Sequence, residues 1–168
     1  MTEPIFKRPE LEDKDIITSY FHKSPSRSCE RTFVNVYLWS RHYKVKYAVI
    51  EDALVFRSDD NGLSFSYPAG SPENIKRAVD YLTEYCKGKE CPLVFYNVTP
   101  EMFSQLEAWY PARFTVEYDR DIADYVYETE KLATLAGKKL HGKRNHINKF
   151  KNLYPDWTYE TLSDDNVE

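Results

Sequence analysis

The apolar positions of this chain change period several times, and the changes mark out its elements. Pro4-Ile5-Phe6 is a short extended candidate, punctuated by Pro9. Over Asp13–His22, Ile16, Ile17, Tyr20 and Phe21 fall at i, i+1, i+4 and i+5, one face of a helix that Pro25 ends. Thr32–Ser40 fits either period, because Phe33, Val34, Val36, Tyr37 and Trp39 satisfy both; its length favours a helix. Three strand signals follow. Val45, Tyr47 and Val49 alternate with Lys44, Lys46 and Ala48, Glu51-Asp52 turns the chain, and Ala53–Arg57 returns. After the turn-rich Ser58-Asp59-Asp60-Asn61-Gly62, Leu63, Phe65 and Tyr67 alternate with Ser64 and Ser66. The pattern is an antiparallel meander.

Helix signals come next. Ser71 is a good N-cap, Pro72 suits the first helical position, and Glu73 complements the helix dipole. Ile75, Ala78, Val79, Leu82 and Cys86 recur at helical spacing up to Gly88. Pro92–Val98 reads as a buried strand through Leu93-Val94-Phe95. Thr99 caps another helix, with Pro100 first and Met102, Phe103, Leu106, Trp109 and Tyr110 facing inward until Pro111. Phe114, Val116 and Tyr118 alternate as a further strand. The predicted order over residues 4–118 is β, α, α, β, β, β, α, β, α, β, which implies a mixed α/β (α+β) sheet with helices on its faces.

Beyond residue 118 the character changes. Six acidic residues and one arginine, Arg120, lie between Glu117 and Glu130, while six Lys or Arg, two His and no acid lie between Gly137 and Pro155. Trp157–Leu162 then alternates like a new strand, and an unpaired strand edge is a liability. The expectation is a chain truncated relative to a longer design, with a body at 1–120, an acidic-then-basic connection at 121–155 and an opening strand of a further module at 156–168.

Composition narrows the class. With 168 residues, 42% hydrophobic and 30% charged, the chain is neither disordered nor collagen-like, and it needs no staple to fold. Three cysteines, Cys29, Cys86 and Cys91, form no metal-ligand spacing and read as reduced thiols of a cytoplasmic protein. No apolar run approaches the ~18 residues needed to span a bilayer, and the amino terminus lacks the core of a signal peptide. The net charge of −4 argues against sequence-independent nucleic-acid binding by the whole surface, though not by a local patch.

The order of elements resembles the GNAT acyltransferase fold. Val98-Thr99-Pro100-Glu101 opens the helix before the last strand as in that family, and Tyr110 and Phe114 close it, although Arg113 stands where a glycine is usual. Residues 125–151, with His141-Gly142-Lys143-Arg144-Asn145 inside a Lys-rich stretch, resemble the phosphatidylglycerol lysyltransferase C-terminal domain family, whose members carry two GNAT-like lobes in tandem. On this resemblance the chain holds the first lobe, the linking basic helix and the opening strand of a second lobe. The implied activity is acyl or aminoacyl transfer, from acyl-CoA or aminoacyl-tRNA, if the second lobe is present. No cofactor is expected in this chain itself.

Such transfer needs a phosphate cradle, an oxyanion donor, a base and an acid. Tyr67-Pro68-Ala69-Gly70-Ser71-Pro72 stands where single-lobe relatives carry a Gly-rich cradle, and its one glycine and two prolines offer few free amides. Tyr110 is the weak candidate for the acid; the competing reading is a core aromatic. Taken as a helix, Lys138–Tyr154 puts Leu140, Ile147, Phe150 and Tyr154 in one stripe. Lys143 falls inside that stripe, Arg144 and Lys151 at its edge, Lys139 on the other border and Asn145 outside. Lys139, Lys143, Arg144 and Asn145 are therefore the candidate anion-binding set. The alternative is that Gly142 breaks the helix and the charges are solvated or pair with the acidic stretch. Candidate partners are aminoacyl-tRNA, a phosphate-bearing small substrate, or a second copy through strand 157–162.

Overall fold

Side-chain caps start three of the helices in the first part of the chain, two of them, Ser71 and Thr99, where the sequence places them. In the computed structural model, which describes residues 3–60, 62–121, 123 and 125–167, Thr32 Oγ1 accepts the Asn35 amide at 3.4 Å and opens α2 (Phe33–Ser40). Ser71 Oγ accepts the Asn74 amide at 3.3 Å and opens α3 (Pro72–Gly88); Thr99 Oγ1 does the same for Met102 and α4 (Pro100–Trp109). Each cap satisfies an amide the helix itself leaves unbonded. Helix α1 (Lys14–Lys23) is entered through a 3-10 turn, Leu11–Asp13, whose Asp13 carboxylate is buried. Burial alone would push that carboxyl up, but the 2.6 Å bond from Lys7 and the Glu10 amide more than offset it, and it sits below the usual range.

The sheet runs β1 (Lys46–Ile50), β2 (Ala53–Ser58), β3 (Ser64–Ser66) and β4 (Phe95–Tyr96), in that spatial order. The first three are antiparallel; β3 and β4 are parallel and are joined through α3. Period-2 alternation divides β2 between two layers. Leu54 and Phe56 join Tyr47 of β1 against Ile17, Tyr20 and Phe21 of α1 and Phe33 and Val36 of α2. Ala53 and Val55 join Ala48, Ile50 and Phe65 against Ala78, Leu82 and Cys86 of α3. Tyr67, Ile75, Val79 and Leu106 form a third cluster under α4. The predicted extended segment near Ile5 proves shorter and shifted: Lys7 exchanges two backbone hydrogen bonds with Tyr47, 3.0 and 2.7 Å, beside β1.

The turn between β1 and β2 is two residues long, and both carry positive φ: Glu51 at 51° and Asp52 at 54°. This is the geometry whose twist matches a hairpin, usually supplied by Asn-Gly. A non-glycine residue held there costs roughly 1–2 kcal/mol. Asp52 is held from two sides. Tyr20 of α1 donates its hydroxyl to Oδ1 at 2.7 Å, and the Asn74 amide of α3 donates to Oδ2 at 2.8 Å and to the Asp52 carbonyl at 3.1 Å.

Three expected strands differ. Pro92–Val98 contributes only Phe95 and Tyr96 to the sheet. Residues 114–118 and 157–162 form no strand. Alternation supplies a pattern but not a ladder partner, and among the described residues no backbone pairs with either segment; Val116 and Tyr118 are exposed, while Phe114 packs beside Phe95 and Tyr110. The chain divides into two compact units, Met1–Tyr118 and Asp119–Glu168. The second holds α5 (Thr129–Thr134), a 3-10 turn at Lys138–Leu140 and α6 (His141–Leu153).

Two measurements check this fold. Leu82→Ala, at a fully buried position, lowers unfolding free energy by about 2–5 kcal/mol in urea titration. The Tyr20 bond holds the Asp52 carboxyl below its usual range, and burial with that same bond pushes the Tyr20 phenol up to about 12. The stabilisation from Asp52 is thus full above its unfolded value of 3.8 and lost on further acidification, and that from Tyr20 is full below 10.0 and lost between there and about 12. Tyr20→Phe lowers the urea midpoint at pH 7 and flattens the stability profile at both ends; an unchanged profile contradicts the assignment.

Candidate functional site

The basic segment forms the helix that its spacing predicts, starting at His141 with Gly142 inside its first turn. Gly142 does not break it, because a single glycine costs only about 1 kcal/mol and the Arg144 side chain ties the helix back to the chain before it. Leu135 caps α5 in the left-handed region at φ 49°, and Gly137 follows at φ 88°. The half-buried Arg144 guanidinium donates through Nη1 to both the Leu135 carbonyl and the Gly137 carbonyl, the second at 3.0 Å. Both bonds leave one amino group whose two N–H directions are fixed in the guanidinium plane; an ammonium turning on a flexible stem does not fix its donors in this way.

The other members of the predicted set have a different environment. Lys139, Lys143 and Asn145 are exposed. Asn145 Nδ2 lies 3.5 Å from Nδ1 of His141, one helical turn back. Among the described residues none of the cations between 138 and 151 pairs with a carboxylate; the ion pair of this unit is Lys131–Glu128 at 2.9 Å. The apolar stripe is open as well: Ile147, Phe150 and Tyr154 are exposed, with Phe150 against the rings of Tyr154 and Trp157. Within this unit, then, α6 presents lysines and an apolar stripe, while Arg144 is spent on the backbone.

In the first unit, Tyr110 is half-buried and its hydroxyl lies 2.6 Å from Asp80 Oδ1 and 3.2 Å from the Lys76 carbonyl, with the Lys76 ammonium 5.3 Å from the ring centroid. Burial, then the bond to Asp80, pushes its ionisation above the ordinary tyrosine range. The phenol therefore keeps its proton at neutral pH and shares it with Asp80, which ties the end of α4 to α3. In the turn before α3, the Ala69 amide donates to the Leu54 carbonyl at 2.9 Å and its carbonyl accepts from the Leu54 amide at 2.8 Å. A Cβ at Gly70 would lie 3.2 Å from the Asp52 carbonyl, so this glycine permits a close backbone approach to the hairpin. Arg31, which the sequence reading did not single out, lies in a short 3-10 turn, Cys29–Arg31, before α2 and reaches the Tyr67 carbonyl at 2.7 Å. An isolated cation in a loop has no periodicity to flag it.

A mixed α/β sheet followed by a basic helical unit is thus the class of protein that the coordinates define. The chain belongs to the family described as phosphatidylglycerol lysyltransferase, C-terminal, which matches residues 21–168. None of the curated proteins compared with it matches. Among solved structures it is similar to a conserved protein of unknown function from Bacteroides thetaiotaomicron VPI-5482, with 38% identity and a TM-score of 0.82. That likeness covers 97% of this chain and 55% of the other, so the chain spans little more than half the length of that relative.

Arg144→Ala releases the two carbonyls, and amide hydrogen exchange between residues 135 and 140 speeds up by roughly tenfold, the scale of one or two lost hydrogen bonds. Arg144→Lys restores the charge without the planar amino group and leaves exchange fast. Exchange that is slow in both variants removes the clamp.

Proposed function

We propose that the chain is the amino-terminal part of a GNAT-like acyl- or aminoacyltransferase related to phosphatidylglycerol lysyltransferase, and that it completes transfer only together with a second lobe. The observation that carries this reading is the family match over residues 21–168, with the His141-Gly142-Lys143-Arg144-Asn145 run forming the start of α6. The mixed sheet flanked by helices agrees with it. The donor, acyl-CoA or aminoacyl-tRNA, is taken by the second lobe in this reading, because the Ala69 amide in the turn before α3 is already engaged by Leu54. Lys139, Lys143 and Asn145 meet the donor's or substrate's anionic groups, Arg144 positions the helix that carries them, and Tyr110 serves the packing of α4 on α3.

A second reading, tRNA binding by α6 itself, is favoured by one observation: its lysines are exposed and, among the described residues, without acidic partners. Affinity would then fall with salt at a log–log slope of about −1 for each phosphate contacted.

One pair of assays tests both. Transfer of a labelled aminoacyl group is measured for the 168-residue chain and for a form extended through a second lobe. The expected result is activity in the extended form alone, and full activity of the short chain overturns the division of labour. Filter binding of tRNA with Lys139→Ala/Lys143→Ala is expected to lose affinity and shallow the salt slope by roughly two; unchanged affinity removes the second reading.

A further inference from the structure

A hollow of about 280 Å³ opens between α1 and α2, and its lining includes the apolar Phe21, Pro25 and Phe33 and the polar Thr18, Ser26 and Arg31. Its floor is fixed. Phe21 is buried in the core, and Phe33, also buried, stacks on Tyr37 at 5.6 Å. The Arg31 guanidinium is fixed too. One Nη2 donates to the Tyr67 carbonyl at the end of β3, and the cation lies 5.9 Å from the centroid of the Phe21 ring.

What distinguishes this arginine is the balance of its contacts. A guanidinium has five N–H donors, and a half-buried one ordinarily meets a carboxylate. Arg31 has one acceptor, a backbone carbonyl, and among the described residues no carboxylate pairs with it; its electrostatic neighbours are the phenols of Tyr67 and Tyr96. Both phenols are themselves held protonated by burial, so neither supplies a negative charge. Burial accordingly lowers the Arg31 ionisation to about 10, the response of a cation withdrawn from water without a counter-ion. No buried side-chain nitrogen or oxygen of the described residues is left without a partner, so the donors of Arg31 not engaged by Tyr67 remain accessible from outside the core, and Arg31 lines the hollow. The Ser26 hydroxyl accepts the Ser28 amide at 3.2 Å, which leaves its own proton to donate.

We propose that this hollow is a binding site for a small oxyanion, a carboxylate or phosphate carried on an apolar body, with Arg31 as its anchor. The free edge of the guanidinium offers two parallel donors to two oxygens, the arrangement that matches either anion. The Phe21 and Phe33 rings take the apolar body, and the volume restricts the ligand to metabolite size, at the lower end of small-molecule pockets. The site lies wholly within the first unit and does not depend on the transferase reading, because binding can be measured with no reaction taking place.

The test is amide chemical-shift titration of the 168-residue chain with inorganic phosphate and, separately, with phenylacetate. Saturable shifts centred on Phe21, Ser26 and Thr32 are expected with at least one of them, the tighter of the two telling a phosphate-bearing ligand from a carboxylate-bearing one. Arg31→Met, which keeps the apolar stem, weakens binding roughly tenfold or more. Ser26→Trp fills the hollow and leaves Arg31 in place, so it removes binding in a variant that does not depend on the Tyr67 contact for folding. Absence of saturation by either anion up to about 50 mM, far weaker than any useful site, or shifts that persist unchanged in the two variants, overturns the proposal.

Discussion

The hairpin turn at Glu51-Asp52 ties the two helical layers of the first unit to the sheet. A two-residue connection between β1 and β2 demands positive φ twice, and here neither residue is glycine. The conformation persists because Tyr20 from one helical layer and Asn74 from the other both close on Asp52. Those bonds set α1 on one face of the sheet and the first turn of α3 on the other. Gly70 follows from the same geometry: a Cβ there would press on the Asp52 carbonyl, so glycine lets the chain between β3 and α3 fold back along β2 and pair Ala69 with Leu54 without a shift of the hairpin. With the start of α3 fixed, its later turns place Lys76 and Asp80 where Tyr110 meets them, and α4 is held in turn. Thus one strained turn orders both helical layers.

How much of this was legible depends on whether the cause was local. Helix α3 could be read to the residue because its determinants, the Ser71 cap, Pro72, the stripe from Ile75 to Cys86 and Gly88, all lie within the helix or beside it. The hairpin was equally plain, since alternation before Glu51-Asp52 and an apolar run of strand length after it leave a two-residue turn between them. Residues 114–118 and 157–162 carry the same alternation and form no strand, because a ladder needs a second backbone and no local pattern provides one. The membership of the family was legible from a short run around His141 because that run is unusual in composition, and the match over residues 21–168 bears it out. What the run does was not legible: nothing in a sequence tells whether an arginine's donors will meet a ligand, a carboxylate or the carbonyls of its own chain.

That distinction separates the cations of this protein. Lysine keeps its compact charge hydrated, and Lys139 and Lys143 accordingly stand in solvent, available to any polyanion but shaped for none. Arginine tolerates partial burial, and each of Arg31 and Arg144 uses that tolerance differently within its own unit. Arg144 bridges two carbonyls across a connection that contains left-handed residues at 135 and 137, so its donors answer a need created by the backbone. Its removal is a structural loss whatever the protein binds.

Arg31 answers a smaller need of the backbone, the single carbonyl of the buried Tyr67. The Tyr67 carbonyl it meets directly follows a strand and takes one of five donors, and no left-handed residue stands beside it to be held. Partial burial of a guanidinium without a carboxylate partner carries a desolvation cost that the Tyr67 carbonyl and the face of Phe21 offset only in part. The cost is offset when a negative charge arrives from outside, and the aromatic floor beside it, Phe21 and Phe33, strengthens that attraction by excluding water from the same place. A cation that the fold uses for one carbonyl, and that has no counter-ion among the described residues, therefore has charge and donors to spare for an anion from solution.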